Sequence, residues 1–294
     1  MTHVSVRQGL LYVSIAATAW GTGGAAGTLL DRFGGIGPIT VSFWRFAIGA
    51  AILLSVSRLL RRKDLPAPGR ALVTGVAMAV CQTAYFAAIS ESGLAVATVI
   101  TAGSTPVLVA IGARVLLREH LSGGAMAAVL TAVTGLTILT MGDGLLGFSP
   151  AGVAWALVSA AGYSAVTLLG RTAPTDPYTT AMCGFTIGGL CLLPLALAQG
   201  LFPAEEALAS WTLIAYLGAV PTALAYGLFF TGATALRATT ASVITMIEPV
   251  GAAILGVLLF GEQLTLISAG GAGLLLAAAG LLAFSERRGL SRTV

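Results

Sequence analysis

Glu248 is an acidic residue set well inside an apolar run that extends over 239–260, whereas the other acidic residues fall at or between the ends of such runs. A carboxylate at the centre of a bilayer costs about 2.5–3.5 kcal/mol, so it is expected to face a protein interior and to find a partner there. Three roles are open to it: an ion pair, uptake of a proton, or contact with the ammonium group of a solute. Arg45, about seven residues into the run 38–58, reaches a similar depth from the opposite side and is the natural candidate for an ion pair. The residue types leave pairing and a substrate or proton role both standing.

Pro106 and Pro249 lie deep in apolar runs, where each removes a backbone donor and frees a carbonyl. Such breaks either kink a helix for packing or offer carbonyls and hinges to a binding site. Pro194 and Pro221 have no counterparts at an equivalent place and read as packing kinks. Polar and aromatic side chains mark further faces: Trp155, Ser159 and Tyr163 at i, i+4, i+8, with Gln82 and Tyr85 at i, i+3. Thr98, Thr101 and Thr105 share a face, and Thr245 stands one turn before Glu248. Trp20 opens a small-residue run, Gly21 to Gly24, that admits a close neighbour, and Tyr226 lies mid-run. Aromatic walls with a few hydroxyl and amide groups suit an amphipathic small solute. The competing readings are back-bonding of each threonine to its own helix and, for Trp211 and Tyr178, a place in the interfacial belt.

The elements that position these residues follow from composition. The chain is 57% hydrophobic and 9% charged, with a mean hydropathy of +0.95. A soluble domain carries about 25% charged residues, so lipid is the solvent here, and the dominance of Ala, Leu and Gly selects helices. Ten stretches can span a bilayer: 9–30, 38–58, 71–90, 94–116, 123–142, 150–170, 178–199, 210–231, 239–260 and 265–284. With both termini on one side, 13 of the 15 basic residues fall on that side and only Arg32 on the other, with Arg45 inside a span. The positive-inside rule then makes both termini cytoplasmic. The run after Arg7 is too long for the apolar region of a signal peptide, so its retention is expected.

Segments 94–122 and 237–265 align at an offset of 143 residues, with eight identities in 29 positions against roughly three expected by chance. The shared positions include Pro106/Pro249, Val107/Val250 and Glu119/Glu262. An odd number of spans per half makes the second half insert upside down. The expected fold is an all-α membrane protein of ten transmembrane helices in two inverted five-helix repeats, 1–146 and 147–294, forming one membrane domain. A substrate site is then expected near the midplane between the halves, with alternating access as one half rocks on the other.

The ten spans, the Trp44-Arg45-Phe46 run, the Pro106-Val107 and Glu248-Pro249-Val250 pairs and the exit from Gly261 to Thr265 resemble the drug/metabolite transporter superfamily, EamA type. Within it, the chain is similar to the YddG-type amino-acid exporters. The resemblance covers essentially the whole chain and implies export of amino acids or related small metabolites across a bacterial inner membrane. One departure between the halves stands out: Thr105 occupies the place of Glu248, so any acidic role belongs to one half.

The substrate-binding residues expected on these grounds are Trp20, Gln82, Tyr85, Thr98, Thr101, Ser159, Tyr163, Tyr226, Thr245 and Glu248, with Arg45, Pro106 and Pro249 in structural or gating roles. Aromatic and other large neutral amino acids suit them best. The first rival is proton-coupled efflux of lipophilic cations through Glu248. The second is an integral membrane enzyme, which the scatter of acid–base groups disfavours. Cys81, Cys183 and Cys191 have no paired spacing, and His3 and His120 stand apart, so neither a metal nor another cofactor is expected. Only Arg45 is a basic group at depth, which argues against phosphorylated substrates. The basic loop Arg58–Arg70 is expected to meet anionic lipid, and no nucleic acid partner is implied. A monomer is the expected state.

Overall fold

The computed structural model describes residues 4–59, 65–119, 123–141, 149–171, 176–203, 207–260 and 265–290, all of it helices and their connections with no strand among the described residues. The elements are α1 (Val6–Gly34), α2 (Pro38–Leu59), α3 (Pro68–Leu116), α4 (Gly123–Met141), α5 (Pro150–Arg171) and α6 (Pro177–Gln199). They are followed by α7 (Ala207–Gly218), a π-helical turn (Ala219–Leu224), α8 (Ala225–Ala233), α9 (Ala238–Ile244), α10 (Ile247–Phe260) and α11 (Leu266–Leu290). Local chemistry sets the starts. Pro38, Pro68, Pro150 and Pro177 each open a helix, where a missing N–H leaves no ladder bond unmade. Ser5 and Gln8 close a reciprocal capping box on α1. Gly35 ends α1 at φ 57°, a left-handed position that suits a residue without a Cβ.

Ten spans were expected, and the third and fourth lie in the single 49-residue helix α3. Straight, it would place Ala77 and Gly112 about 52 Å apart. Yet a Cβ on Gly162 would stand 3.0 Å from the carbonyl of Ala77, and Gly112 abuts Leu168, only six residues further along α5. The two arms, Pro68–Ile89 and Ile100–Leu116, therefore fold back on each other and both run along α5. In the second half the corresponding reversal is an open turn between α8 and α9. The eighth span is α7, the π turn and α8 in series, and the ninth is α9 and α10, so two expected continuous helices are interrupted.

The halves embrace by exchange of equivalent contacts. Gly9 of α1 lies against Gly232 and Ala235, where a Cβ would stand 2.9 Å from the Gly232 carbonyl. Adding 143 converts Gly9 to Gly152 and, with the halves exchanged, Ala235 to Ser92, and Gly152 does lie against Ser92. Likewise the Ser164 hydroxyl donates to the Thr105 carbonyl at 3.4 Å, while its counterpart Gly21 lies against the carbonyl of Glu248, the counterpart of Thr105. Thus α1 sits in the cleft between α8 and α10, as α5 sits between the arms of α3, and α2 pairs with α6 and α4 with α11. The Gly9 contact lies at the end of the bundle where Arg171 donates to the Ala233 carbonyl. Gly152 is 19 residues back along α5, about 28 Å away. Equivalent contacts at opposite ends are what an inverted repeat produces.

Candidate functional site

The largest buried cluster gathers residues of α1, α2, α3, α5, α6, α8 and α9. Its centre is aromatic. Trp20 meets Tyr226 at 4.9 Å, Phe229 at 5.2 Å and Tyr163 at 6.3 Å between ring centroids, and Tyr226 meets Phe185 edge-on at 4.9 Å. Helical spacing sets this wall: Tyr226, Phe229 and Phe230 form one face of α8 just after the π turn. A narrow cleft of about 10 Å³ lies beside it, lined by Phe46, Met78, Cys81, Gln82, Tyr163 and Tyr226, among others. Ligand sites for drug-sized molecules hold about 300–1,000 Å³, so in this conformation the cleft is closed to a solute and has to widen to admit one.

Two opposite charges face each other across this centre without joining. Arg45 donates through Nε to the Thr222 hydroxyl at 3.3 Å. Pro221 and the π turn explain that bond. Proline cannot donate to the Leu217 carbonyl four residues back, and the Thr222 hydroxyl does so instead at 2.6 Å. With its proton committed to Leu217, the Thr222 oxygen is left to accept from Arg45. Pro221, expected only to kink its helix, thus fixes the orientation of the guanidinium.

Glu248 stands in the first turn of α10, and each of Arg45 on α2, Tyr163 on α5 and Tyr226 on α8 lies within electrostatic range of its carboxylate. With those three helices around it, the residue is nevertheless exposed and not sealed in packing. The ion pairs among the described residues do not include Arg45 with Glu248.

Pro249 places Glu248 there. Lacking an N–H, it leaves the Thr245 carbonyl without its ladder bond; the Glu248 N–H takes that carbonyl at 3.0 Å in a tighter turn, and the helix breaks between α9 and α10. The Thr245 hydroxyl donates to the Ser242 carbonyl at 2.7 Å and lies beside the Tyr163 hydroxyl. Pro106, by contrast, is buried within uninterrupted helix, so the two prolines are equivalent in position and not in effect.

Of the residues expected from sequence, the structure brings together Trp20, Gln82, Tyr163, Tyr226, Thr245, Glu248 and Arg45. Gln82 reaches across to donate to the Ser42 hydroxyl at 3.0 Å. Others lie apart. Ser159 is fully buried and donates to the Cys81 carbonyl at 2.9 Å, and Thr101 donates to the Ala156 carbonyl at 3.2 Å; both tie α5 to the arms of α3. Tyr85 packs beside Ala88 and Ala97 in a separate cluster, and Trp155, the first member of the stripe, faces outward at 45% exposure. The side chain of Thr98 lies outside the described residues, as do Arg61, Arg62 and Lys63 of the basic loop. Sequence reasoning missed Thr222, Phe229 and Cys81; the Pro221-Thr222 pair was the available signal for the first.

A second polar group closes one end of the bundle. Glu119, just beyond α3, accepts from Arg171 at the end of α5 at 3.2 Å and lies 3.9 Å from Arg237 at the turn before α9. Arg171 also donates to the Ala233 carbonyl at 2.8 Å.

This arrangement has relatives. The sequence model of the EamA-like transporter family matches twice, at residues 7–141 and 150–284. The uncharacterized transporter YwfM of Bacillus subtilis (strain 168) is 31% identical over 87% of this chain and 86% of its own length. The uncharacterized inner membrane transporter YicL of Salmonella typhimurium (strain LT2) is 28% identical over 97% of this chain and 98% of its own. A solved crystal structure superposes with a TM-score of 0.81 over 95% of this chain and 99% of that one, and at 22% identity it shows the fold alone. With both halves matched and the inverted helical pairs in place, the chain belongs to the EamA-like transporter family, as a multi-pass membrane protein.

Proposed function

We propose that this transporter exports amino acids, aromatic and large neutral ones among them, or closely related metabolites, by alternating access. The observation that carries the reading is the aromatic wall of Trp20, Tyr163 and Tyr226 beside an accessible Glu248, at the seam between the two halves. An apolar wall with a few fixed polar groups suits a small amphipathic solute, and the resemblance of the sequence motifs to amino-acid exporters supports the same reading. The positive-inside pattern places the termini and the Glu119–Arg171 end at the cytoplasm of a bacterial cell, and the basic segment Arg58–Arg70 against anionic lipid. The two halves are 1–146 and 147–294, and one chain contains the whole site.

The test is counterflow in liposomes holding the purified chain, with labelled amino acids set against sugars and cationic dyes. Faster exchange of amino acids than in empty vesicles supports the reading; exchange no faster overturns it. A second reading, proton-coupled efflux of lipophilic cations, is favoured by one observation, the accessible carboxylate among aromatic rings. It predicts that Glu248→Gln abolishes dye efflux and spares flux of neutral amino acids.

A further inference from the structure

Arg45 is held so that it cannot satisfy itself. Of the five N–H donors of a guanidinium, one is used, on Thr222, and the other four have no hydrogen-bond partner among the described residues. The side chain is only half-buried, so these donors are not sealed in packing. Glu248 receives no hydrogen bond on its carboxylate from the described residues and is exposed. Each charge acts on the other, yet they do not meet in an ion pair. In a low-dielectric interior, opposite charges gain by closing to contact unless something holds them apart. Here the Thr222–Leu217 bond of the π turn anchors one, and the Pro249 break aims the other. A third unmet group lies alongside: the Trp20 indole N–H is buried with no partner.

Resting on the amino-acid reading above, we propose that Arg45 and Glu248 are the two ends of a zwitterion receptor. The free guanidinium edge takes the substrate's carboxylate and Glu248 takes its ammonium, with the side chain laid on the Trp20–Tyr226 wall. The two charges belong to opposite halves, Arg45 to the first and Glu248 to the second, so a bound zwitterion bridges the seam that alternating access must work. A solute with one charge leaves the other protein charge unmet in the bilayer core. Selection against such analogues is then steep, since a site built to hold a polar group rejects ligands that lack it. This also accounts for the asymmetry of the repeat: one acid and one base are required, and a second Glu in place of Thr105 would leave an excess negative charge.

The experiment uses the full chain in liposomes, with counterflow of labelled L-phenylalanine challenged by unlabelled compounds of the same shape. Unlabelled L-phenylalanine should compete, whereas phenethylamine, which lacks the carboxylate, and 3-phenylpropanoate, which lacks the ammonium, should compete at least about tenfold more weakly. Arg45→Gln should weaken L-phenylalanine without weakening phenethylamine; Glu248→Gln should weaken L-phenylalanine without weakening 3-phenylpropanoate. The comparison of analogues on the native chain needs no variant and holds even if a variant fails to fold. Equal competition by phenethylamine or 3-phenylpropanoate overturns the proposal while the amino-acid reading survives. Restoration of L-phenylalanine flux by exchanging the two charges also overturns it, in favour of a structural pair. Absence of counterflow for every amino acid in the panel overturns the parent reading and this proposal together.

Discussion

Trp20 and Tyr163 occupy the same position in the two repeats, 143 residues apart, and their rings meet edge to face with centroids 6.3 Å apart. Equivalent residues of two inverted halves can touch only close to the axis that relates them. The axis that relates the halves therefore passes close to this ring pair, beside Glu248 and the pocket, and on the alternating-access reading it marks the seam of movement. Tyr163→Phe keeps the ring and deletes the hydroxyl that meets Thr245, so it should cost about 1 kcal/mol of stability and preserve exchange. Tyr163→Ala removes the wall itself and should lower counterflow about tenfold or more. Equal rates in the two variants would show that the ring takes no part in transport.

Gly21 is where α1 comes closest to the broken helix. A Cβ there would stand 2.9 Å from the Glu248 carbonyl and 3.2 Å from the Ala252 nitrogen, both backbone atoms that cannot turn aside. Gly21→Ala should therefore destabilise the protein by about 1–3 kcal/mol, seen as a lower melting temperature in detergent, and reduce flux. Gly27, on the same helix, has nothing within 4 Å of its missing Cβ. Gly27→Ala should leave melting unchanged or raise it slightly, which separates a local clash from a general effect of alanine in α1.

Thr222 carries two bonds with one hydroxyl, to the Leu217 carbonyl and from Arg45. Thr222→Val keeps the shape and leaves both partners unmet, so it should cost about 2–3 kcal/mol. It should also free the guanidinium to close on Glu248, lowering substrate affinity beyond the loss of stability. Thr222→Ser retains the hydroxyl and should behave as the native chain in both melting and counterflow. If Thr222→Val matches Thr222→Ser, the hydroxyl does not hold Arg45.

The spans were legible because hydrocarbon burial leaves a strong one-dimensional signal, and the 143-residue offset because Pro106/Pro249 and their neighbours survive in both halves. What the sequence did not disclose was the outcome of each proline. Pro106 and Pro249 lie in similar contexts, yet only the second breaks its helix, where Thr245 and Met246 form a tighter turn. Pro221 looked like a packing kink because its role depends on Thr222 and on Arg45, 177 residues away. The stripe Trp155, Ser159 and Tyr163 failed for a related reason: α5 is gripped by both arms of α3. Ser159 is consumed in that packing, Trp155 looks outward, and only Tyr163 reaches the axis.

Glu119 belongs to the first half and Arg171 to the second, and at 13% and 22% side-chain exposure their contact is less screened than a surface pair. Because Arg171 also holds the Ala233 carbonyl, the group ties the ends of α3, α5 and α8 together. On the alternating-access reading, rocking that opens this end of the bundle has to part them, and the contact then biases the molecule towards closure there. Glu119→Gln keeps the shape and removes the charge, and should shift that balance by about 1 kcal/mol, roughly fivefold in population. Cys81 lines the central pocket and reports the shift in a chain carrying Cys183→Ser and Cys191→Ser. A membrane-impermeant maleimide applied from the Glu119 side should label Cys81 several-fold faster in Glu119→Gln than with Glu119 intact, and no faster when applied from the other side. Equal labelling from the Glu119 side would mean that the clasp survives both conformations, and the hinge must then be sought at the broken helix beside Pro249.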